Sequence, residues 1–167
     1  LLKINIASEF RRTTDDQLLT LRRTTSEDPD FIELVKLLDA DLAIRDGKDH
    51  AFFAQYNKID SIRHVVVAYS ESLPAGCGAI RKYDESTMEV KRMFVKPGYR
   101  GKGIARSVLS ELEKWTAESG CLYCILETGK RQPEAISLYS SCGYRIIPNY
   151  GQYKNVETSV CMLKSIA

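Results

Sequence analysis

The segment VKPGYRGKGIA, residues 95–105, has the composition of an anion site. Arg100, Gly103 and Ala105 form R-x-x-G-x-A between an alternating apolar stretch and a strongly amphipathic one. Gly101 and Gly103 lack a Cβ, so a ligand can approach the backbone closely. The first amides of a helix have no intrahelical acceptors and point outwards, and the helix dipole adds partial positive charge there. Arg100 and Lys102 add full charges. A first helical turn ordinarily favours acidic residues, so basic ones here fit an external anion. The site is neither a dinucleotide fingerprint nor a P-loop. Arg106 stands where the fingerprint needs its third glycine, and Gly103 follows Gly101-Lys102 where a P-loop needs Ser or Thr.

Other reactive types are less promising. The cysteines are Cys77, Cys121, Cys124, Cys142 and Cys161, an odd number scattered through apolar segments, unlike a disulfide framework. Cys121 and Cys124 make a C-x-x-C, but no second pair or His pair completes a zinc site. They are expected to be reduced core thiols, which implies a cytoplasmic protein without a bound metal. Cys124 or Cys142 as an acyl-carrying nucleophile lacks a nearby histidine. His50 and His64 read as surface residues, and Arg81, Lys82, Lys91 and Arg92 as solvated strand charges.

The anion segment needs a strand before it and a helix after it. TMEVKRMFV supplies the strand, with Met88, Val90, Arg92 and Phe94 alternating against Glu89, Lys91, Met93 and Val95. The helix is IARSVLSELEKWTAESG, with Val108, Leu109, Leu112, Trp115 and Thr116 on one face and Gly120 placed to end it. Upstream, QLLTLRRTT reads as a strand. SEDPDFIELVKLLDADL reads as a helix capped by Ser26 or Asp28, with Pro29 in its first turn. A short helix in KDHAFFAQYNKID and the strands HVVVAYS and GCGAIRKYD follow. CLYCILE is a strand, PEAISLYSSCG a helix, and YRIIP and SVCMLK are the last strands, separated by the tyrosine-rich NYGQYKN. Short turns make the early strands antiparallel, while the helical crossover after TMEVKRMFV makes one pair parallel. The fold class is therefore α/β, a single domain with a mixed central sheet and helices on both faces. Residues 1–16 read as an N-terminal tail or edge element, and residues 17–167 as the domain.

The whole chain sets bounds on these readings. At 167 residues it fits one domain with a proper core. Apolar residues are 44% and charged residues 28%, ordinary for a globular enzyme. A net charge of +2 calls for neither nucleic acid nor an anionic membrane, and no apolar run spans a bilayer. The opening LLKINIASEF does not read as a signal peptide.

With these segments in order, the sequence resembles the GNAT superfamily of acyl-CoA-dependent N-acetyltransferases from about Ala68 to Lys164, and more loosely back to Phe31. MFVKPGYRGKGIARSVLSELE is similar to its cofactor motif, and AISLYSSCGYR to its second motif, a helix carrying a tyrosine and ending in Gly-Tyr. The resemblance implies acetyl-CoA as co-substrate. Backbone groups of Met93, Phe94 and Val95 would pair with the pantetheine arm. Arg100, Gly101, Lys102, Gly103, Ile104 and Ala105 would hold the pyrophosphate. Tyr139 would be the general acid at the thioester sulfur, and Glu89 the general base. An asparagine common in the family after the next strand is replaced around Glu127-Thr128-Gly129.

The chemistry of these residue types agrees with that implication. An ammonium must lose a proton before it can attack a thioester. A carboxylate such as Glu89 can accept it if its pKa is raised toward neutrality. A phenol such as Tyr139 can donate to the departing thiolate, and strand-end amides can polarise the carbonyl. The acceptor pocket is expected from Phe53, Tyr56, Asn57, Tyr150 and Tyr153, with a minor substrate role for His50 as the alternative to a surface residue. These groups suit a small-molecule amine. Protein N-terminal or lysine acetylation, and an acyl-CoA-binding module without turnover, stay open as alternatives. The last two strands leave a sheet edge that a homodimer would cover.

Overall fold

The computed structural model describes residues 9–14, 17–60 and 62–167. Of the expected N-terminal tail or edge element, residues 1–8, 15 and 16 lie outside the described residues. The chain begins with strands β1 (Glu9–Thr14) and β2 (Gln17–Thr24), then helix α1 (Pro29–Asp46) and the short helix α2 (His50–Ala54). Strands β3 (His64–Ser70), β4 (Leu73–Lys82) and β5 (Thr87–Val95) follow. Helix α3 (Ile104–Glu118), strand β6 (Tyr123–Gly129) and helix α4 (Pro133–Ser141) come next, before strands β7 (Arg145–Ile147) and β8 (Ser159–Ser165).

Local chemistry sets the helix ends. Asp28 is the cap of α1, and its Oδ1 accepts from the amides of Asp30 at 2.9 Å and Phe31 at 3.4 Å, with Pro29 in the first turn. α1 runs on to Asp46, beyond the predicted Leu42, and stops at Gly47. Helix α3 begins after Gly103, whose φ is 77°, a left-handed conformation that side chains disfavour.

Among the described residues the sheet has eight strands in the order β1-β2-β3-β4-β5-β6-β8-β7. Every neighbouring pair is antiparallel except β5 and β6, which α3 joins. One core lies between the sheet and α3, built on Val66, Ile80, Val90, Val108, Leu109 and Leu112. The other lies under α1, where Phe31, Leu34, Val35 and Leu38 pack on Val65, Val67, Cys77 and Phe94. Cys77, Cys121, Cys124 and Cys161 are buried free thiols. Among the described residues, no helix is long and apolar enough to cross a membrane.

Three sequence expectations need correction. The late strands were both assigned to an edge, but β8 is interior, paired with β6 on one side and β7 on the other. At that end of the sheet the three-residue β7 forms the edge. The second correction concerns β5. Pairing runs Cys77↔Phe94 and Ala79↔Lys91, so Arg92 and Met93 together stand opposite Gly78. This is a β-bulge, and Arg92 takes a φ of 58° there. The simple alternation therefore breaks at Arg92. Glu89 and Lys91 face the α1 side, but Met93 is turned to the α3 side, packed on that core. Nor are Lys91 and Arg92 solvated: both are buried, and Arg92 is ion-paired with Asp39 of α1.

Candidate active site

The site exists because two parallel strands part. β5 and β6 pair only through Thr87↔Tyr123, Met88↔Cys124 and Glu89↔Ile125. Both strands continue, to Val95 and Gly129, without further pairing between them. Backbone groups of β5 past the bulge thus face an opening in the sheet. The bulge adds local twist, which carries the strand end away from its neighbour.

On one side the opening widens into a groove of about 420 Å³ between the end of β5, the start of α3 and α4. Met93, Phe94, Val95, Arg100, Gly101, Gly103, Ile104 and Ala105 all line it. Of the nine residues assigned to the cofactor, Lys102 alone lines a neighbouring recess instead, beside Ser107 and Ser110. Gly101 and Gly103 have φ of 76° and 77°, and a Cβ on either would meet no protein atom within 4 Å. The space in front of both glycines is open, so their need is conformational in the protein alone. Arg100 Nε donates to Val95 O at 2.9 Å, which ties the turn to the strand end. Arg45 and Arg106 also border the groove, anchored to α4 through Glu134 and Ser141. Sequence reading missed both arginines, because only the packing of α1, α3 and α4 brings them there. Open helix amides and three guanidinium groups bordering one groove suit a polyanion such as a pyrophosphate.

Tyr139 borders this groove and also a smaller cavity, of about 110 Å³, on the far side. It is buried on α4, and its ring lies 5.8 Å from that of Tyr144. Among the described residues its hydroxyl has no hydrogen-bond partner. Burial pushes the phenol well above the ordinary tyrosine range, so it keeps its proton near neutrality.

The smaller cavity lies between α1, α2, β5, β6 and α4. Of the predicted acceptor residues, Phe53, Asn57 and Tyr153 line it. Tyr56 and Tyr150 do not; each packs edge-on against Tyr153, with ring centroids 6.2 and 5.8 Å away. His50 also stays outside, 3.8 Å from Asp46 Oδ2.

Glu89 is 2% exposed and its carboxylate is committed. Arg81 Nε donates to Oε2 at 2.8 Å, and Tyr150 donates its hydroxyl to Oε1 at 3.0 Å. It is not among the residues bordering the cavity. Glu127 borders it. Ser159 Oγ donates to Glu127 Oε1 at 2.6 Å, and the other oxygen has no protein donor among the described residues. Burial pushes this carboxyl up to about 7, against the lowering effects of Ser159 and Lys91. A carboxyl that titrates near neutrality is suited to accept a proton at physiological pH.

A model of the acetyltransferase (GNAT) family matches residues 25–144. The chain belongs to this family. It is 32% identical over 152 residues to an IAA acetyltransferase of Azospirillum brasilense, covering 89% of this chain and 98% of that one. A Klebsiella pneumoniae structure provisionally named an acyl-CoA N-acyltransferase superposes with a TM-score of 0.76 at 27% identity. The match covers 89% of this chain and 98% of that one. An Elizabethkingia anophelis GNAT acetyltransferase, solved with acetyl-CoA bound, shares the fold. Its TM-score is 0.65 at 19% identity, over 91% of this chain and 99% of the other.

Within this GNAT fold Glu127 is a further candidate for proton acceptance, one the sequence reading did not single out. The available signal was the departure from the family pattern at Glu127-Thr128-Gly129. The sequence reading ends β6 at Glu127, but the strand runs to Gly129, paired with β8 to its end and parted from β5 beyond Ile125, so that Glu127 borders the opening.

Proposed function

We propose that this GNAT protein transfers an acetyl group from acetyl-CoA to the primary amine of a small molecule, by direct transfer in a ternary complex. The observation that carries the reading is Tyr139, which borders both the basic groove and the acceptor cavity. A donor along the groove and an acceptor in the cavity would meet at this side chain. Acetyl-CoA supplies an activated acetyl group with a thiolate leaving group. Glu127 takes a proton from the acceptor ammonium and passes it to solvent. The amine nitrogen then forms a bond to the acetyl carbon as the carbon–sulfur bond breaks. Tyr139 gives its proton to the sulfur, and the second proton lost from nitrogen restores it. Glu89 holds Arg81 and Tyr150 in place beneath the cavity, in preference to the base role that the resemblance implies.

The small cavity supports a small acceptor over a protein tail. Its roughly 110 Å³ is well below the ~300–1,000 Å³ of common ligand pockets. Thiol release from acetyl-CoA, measured across a library of small amines and of peptides with free N-termini or lysines, tests the reading. Turnover confined to small amines is expected. Turnover of peptides alone would move the acceptor to proteins. Acetyl-CoA binding without thiol release from any amine would leave only a binding module.

A further inference from the structure

The charged groups around the cavity do not cancel in place. Asp46, Lys91, Arg92 and Glu127 line it. Arg92 is turned to Asp39, and Asp46 sits on α1 with its Oδ2 3.8 Å from His50 Nδ1. Lys91 and Glu127 stand on the two strands that part. Lys91 is 9% exposed. Its nearest carboxylate oxygen is Glu89 Oε1, at 3.9 Å, and that oxygen already accepts from Tyr150. No other carboxylate comes within 4.0 Å of Lys91 among the described residues.

The sheet explains why these two charges face each other. The register Glu89↔Ile125 would continue to Lys91↔Glu127 if β5 and β6 stayed paired. Both side chains therefore have the same rank on the same face, on opposite sides of the opening. Neighbouring strands sit about 4.8 Å apart, and the splay adds to that. A small molecule can enter between an ammonium and a carboxylate. A simple amine cation would meet repulsion from Lys91. One with its own anion would meet a complementary pair.

We propose that the acceptor is an amino acid-type molecule: a primary amine carrying a carboxylate, which Lys91 binds while the amine faces Glu127. This rests on the acetyl-transfer reading of the same site and names its substrate class. Desolvation gives independent support. Burial pulls the Lys91 ammonium below the ordinary lysine range, the mark of a charge short of compensation. A buried charge without a close partner is costly, and a docked carboxylate removes that cost. The limited volume restricts the rest of the molecule to a few heavy atoms.

The test compares proteinogenic α-amino acids with their α-amides, which keep the amine and lose the anion. Two readouts are taken: thermal stabilisation of the CoA-saturated protein, and thiol release from acetyl-CoA. A charge-assisted contact predicts a kcat/KM for the acid roughly tenfold to hundredfold above that of its amide. Lys91→Met should bring that ratio close to one while acetyl-CoA still raises the melting temperature. If Lys91→Met does not fold, the wild-type ratio decides. Acids that stabilise more than amides but release no thiol would support the substrate class and sink the catalytic reading. Amides turned over as well as acids would overturn the substrate class and leave acetyl transfer standing. No stabilisation and no turnover with any amino acid would also overturn it.

Discussion

Tyr150 donates its hydroxyl hydrogen to Glu89 Oε1 at 3.0 Å, across 61 residues of chain. With Arg81 on the other oxygen, the carboxylate has a structural partner at each end. Glu127, one strand over, has a partner at one oxygen only. Glu127→Gln should therefore lower kcat/KM by about a hundredfold to ten-thousandfold and abolish the acidic limb of the pH profile. In the wild type that limb should rise through about pH 7, as Glu127 loses its proton. Glu89→Gln should keep the limb and lose roughly 1–3 kcal/mol of stability, a modest cost because the Arg81 side chain is 38% exposed. The opposite pattern in the two pH profiles would return the base role to Glu89.

The same carboxyl has a stability signature that needs no substrate. Its folded pKa, about 7, is raised above the 4.5 of an ordinary glutamate. Between those values the folded state holds more protons than the unfolded one, so stability falls as pH rises. Glu127→Gln removes that dependence and keeps an amide for Ser159. The variant should melt higher than the wild type at pH 8, with the advantage shrinking toward pH 4. Parallel melting curves against pH for the two proteins would contradict it.

Tyr139→Phe should slow kcat by about a hundredfold or more while leaving the acetyl-CoA Kd nearly unchanged. The hydroxyl is proposed to act only as the sulfur gains charge, so its loss reaches the transition state and spares the ground state. It has no protein partner among the described residues, so its removal orphans nothing. The ring stays in the core beside Tyr144. Single-turnover kinetics with unchanged rates would remove Tyr139 from the chemistry. A drop in melting temperature matching the loss of rate would mark it as a core residue.

Gly103→Val separates backbone need from ligand need. A Cβ here meets nothing within 4 Å, so the free protein should pay only for a side chain at φ 77°. That cost is about 1–2 kcal/mol, larger for a β-branched residue. With acetyl-CoA the new side chain would stand in the pyrophosphate path. The rise in melting temperature on adding acetyl-CoA, expected of a ligand that binds only the folded state, should vanish. An undiminished rise would put the cofactor elsewhere.

Gly78→Ala tests the bulge. A Cβ there would collide with Met93 Sδ and come within 2.9 Å of Leu112 Cδ1 and Val108 Cγ1. Met93 occupies that space because Arg92 takes the extra position in β5. Overpacking should cost about 1–3 kcal/mol in chemical denaturation. No loss of stability would show that Met93 has room to move, and would weaken the link between the bulge and the geometry of the opening.

Much of the fold was written locally. Periodicity located α1 and α3, Asp28 and Pro29 marked a helix start, and Gly101 and Gly103 marked the turn between β5 and α3. These features depend on neighbours within a few residues, so the sequence exposes them directly. The bulge at Arg92 was not legible in that way. Strand alternation looks continuous through TMEVKRMFV, and only pairing with β4 adds the extra residue that turns Met93 over. Burial of Lys91 and Arg92 was hidden for a related reason: charged residues read as solvated until the element covering them is known.

Family membership, the glycine-rich turn and the helix that carries Tyr139 were legible in the residues alone, because each lies in a contiguous segment whose spacing has a local physical meaning. Which carboxylate borders the cavity depends on the packed chain. Glu89 and Glu127 are chemically alike, and their difference arises from contacts distant in sequence: Arg81 and Tyr150 around one, the opening between β5 and β6 beside the other. Burial and partner geometry set the proton affinity of a carboxyl, and both belong to the packed molecule.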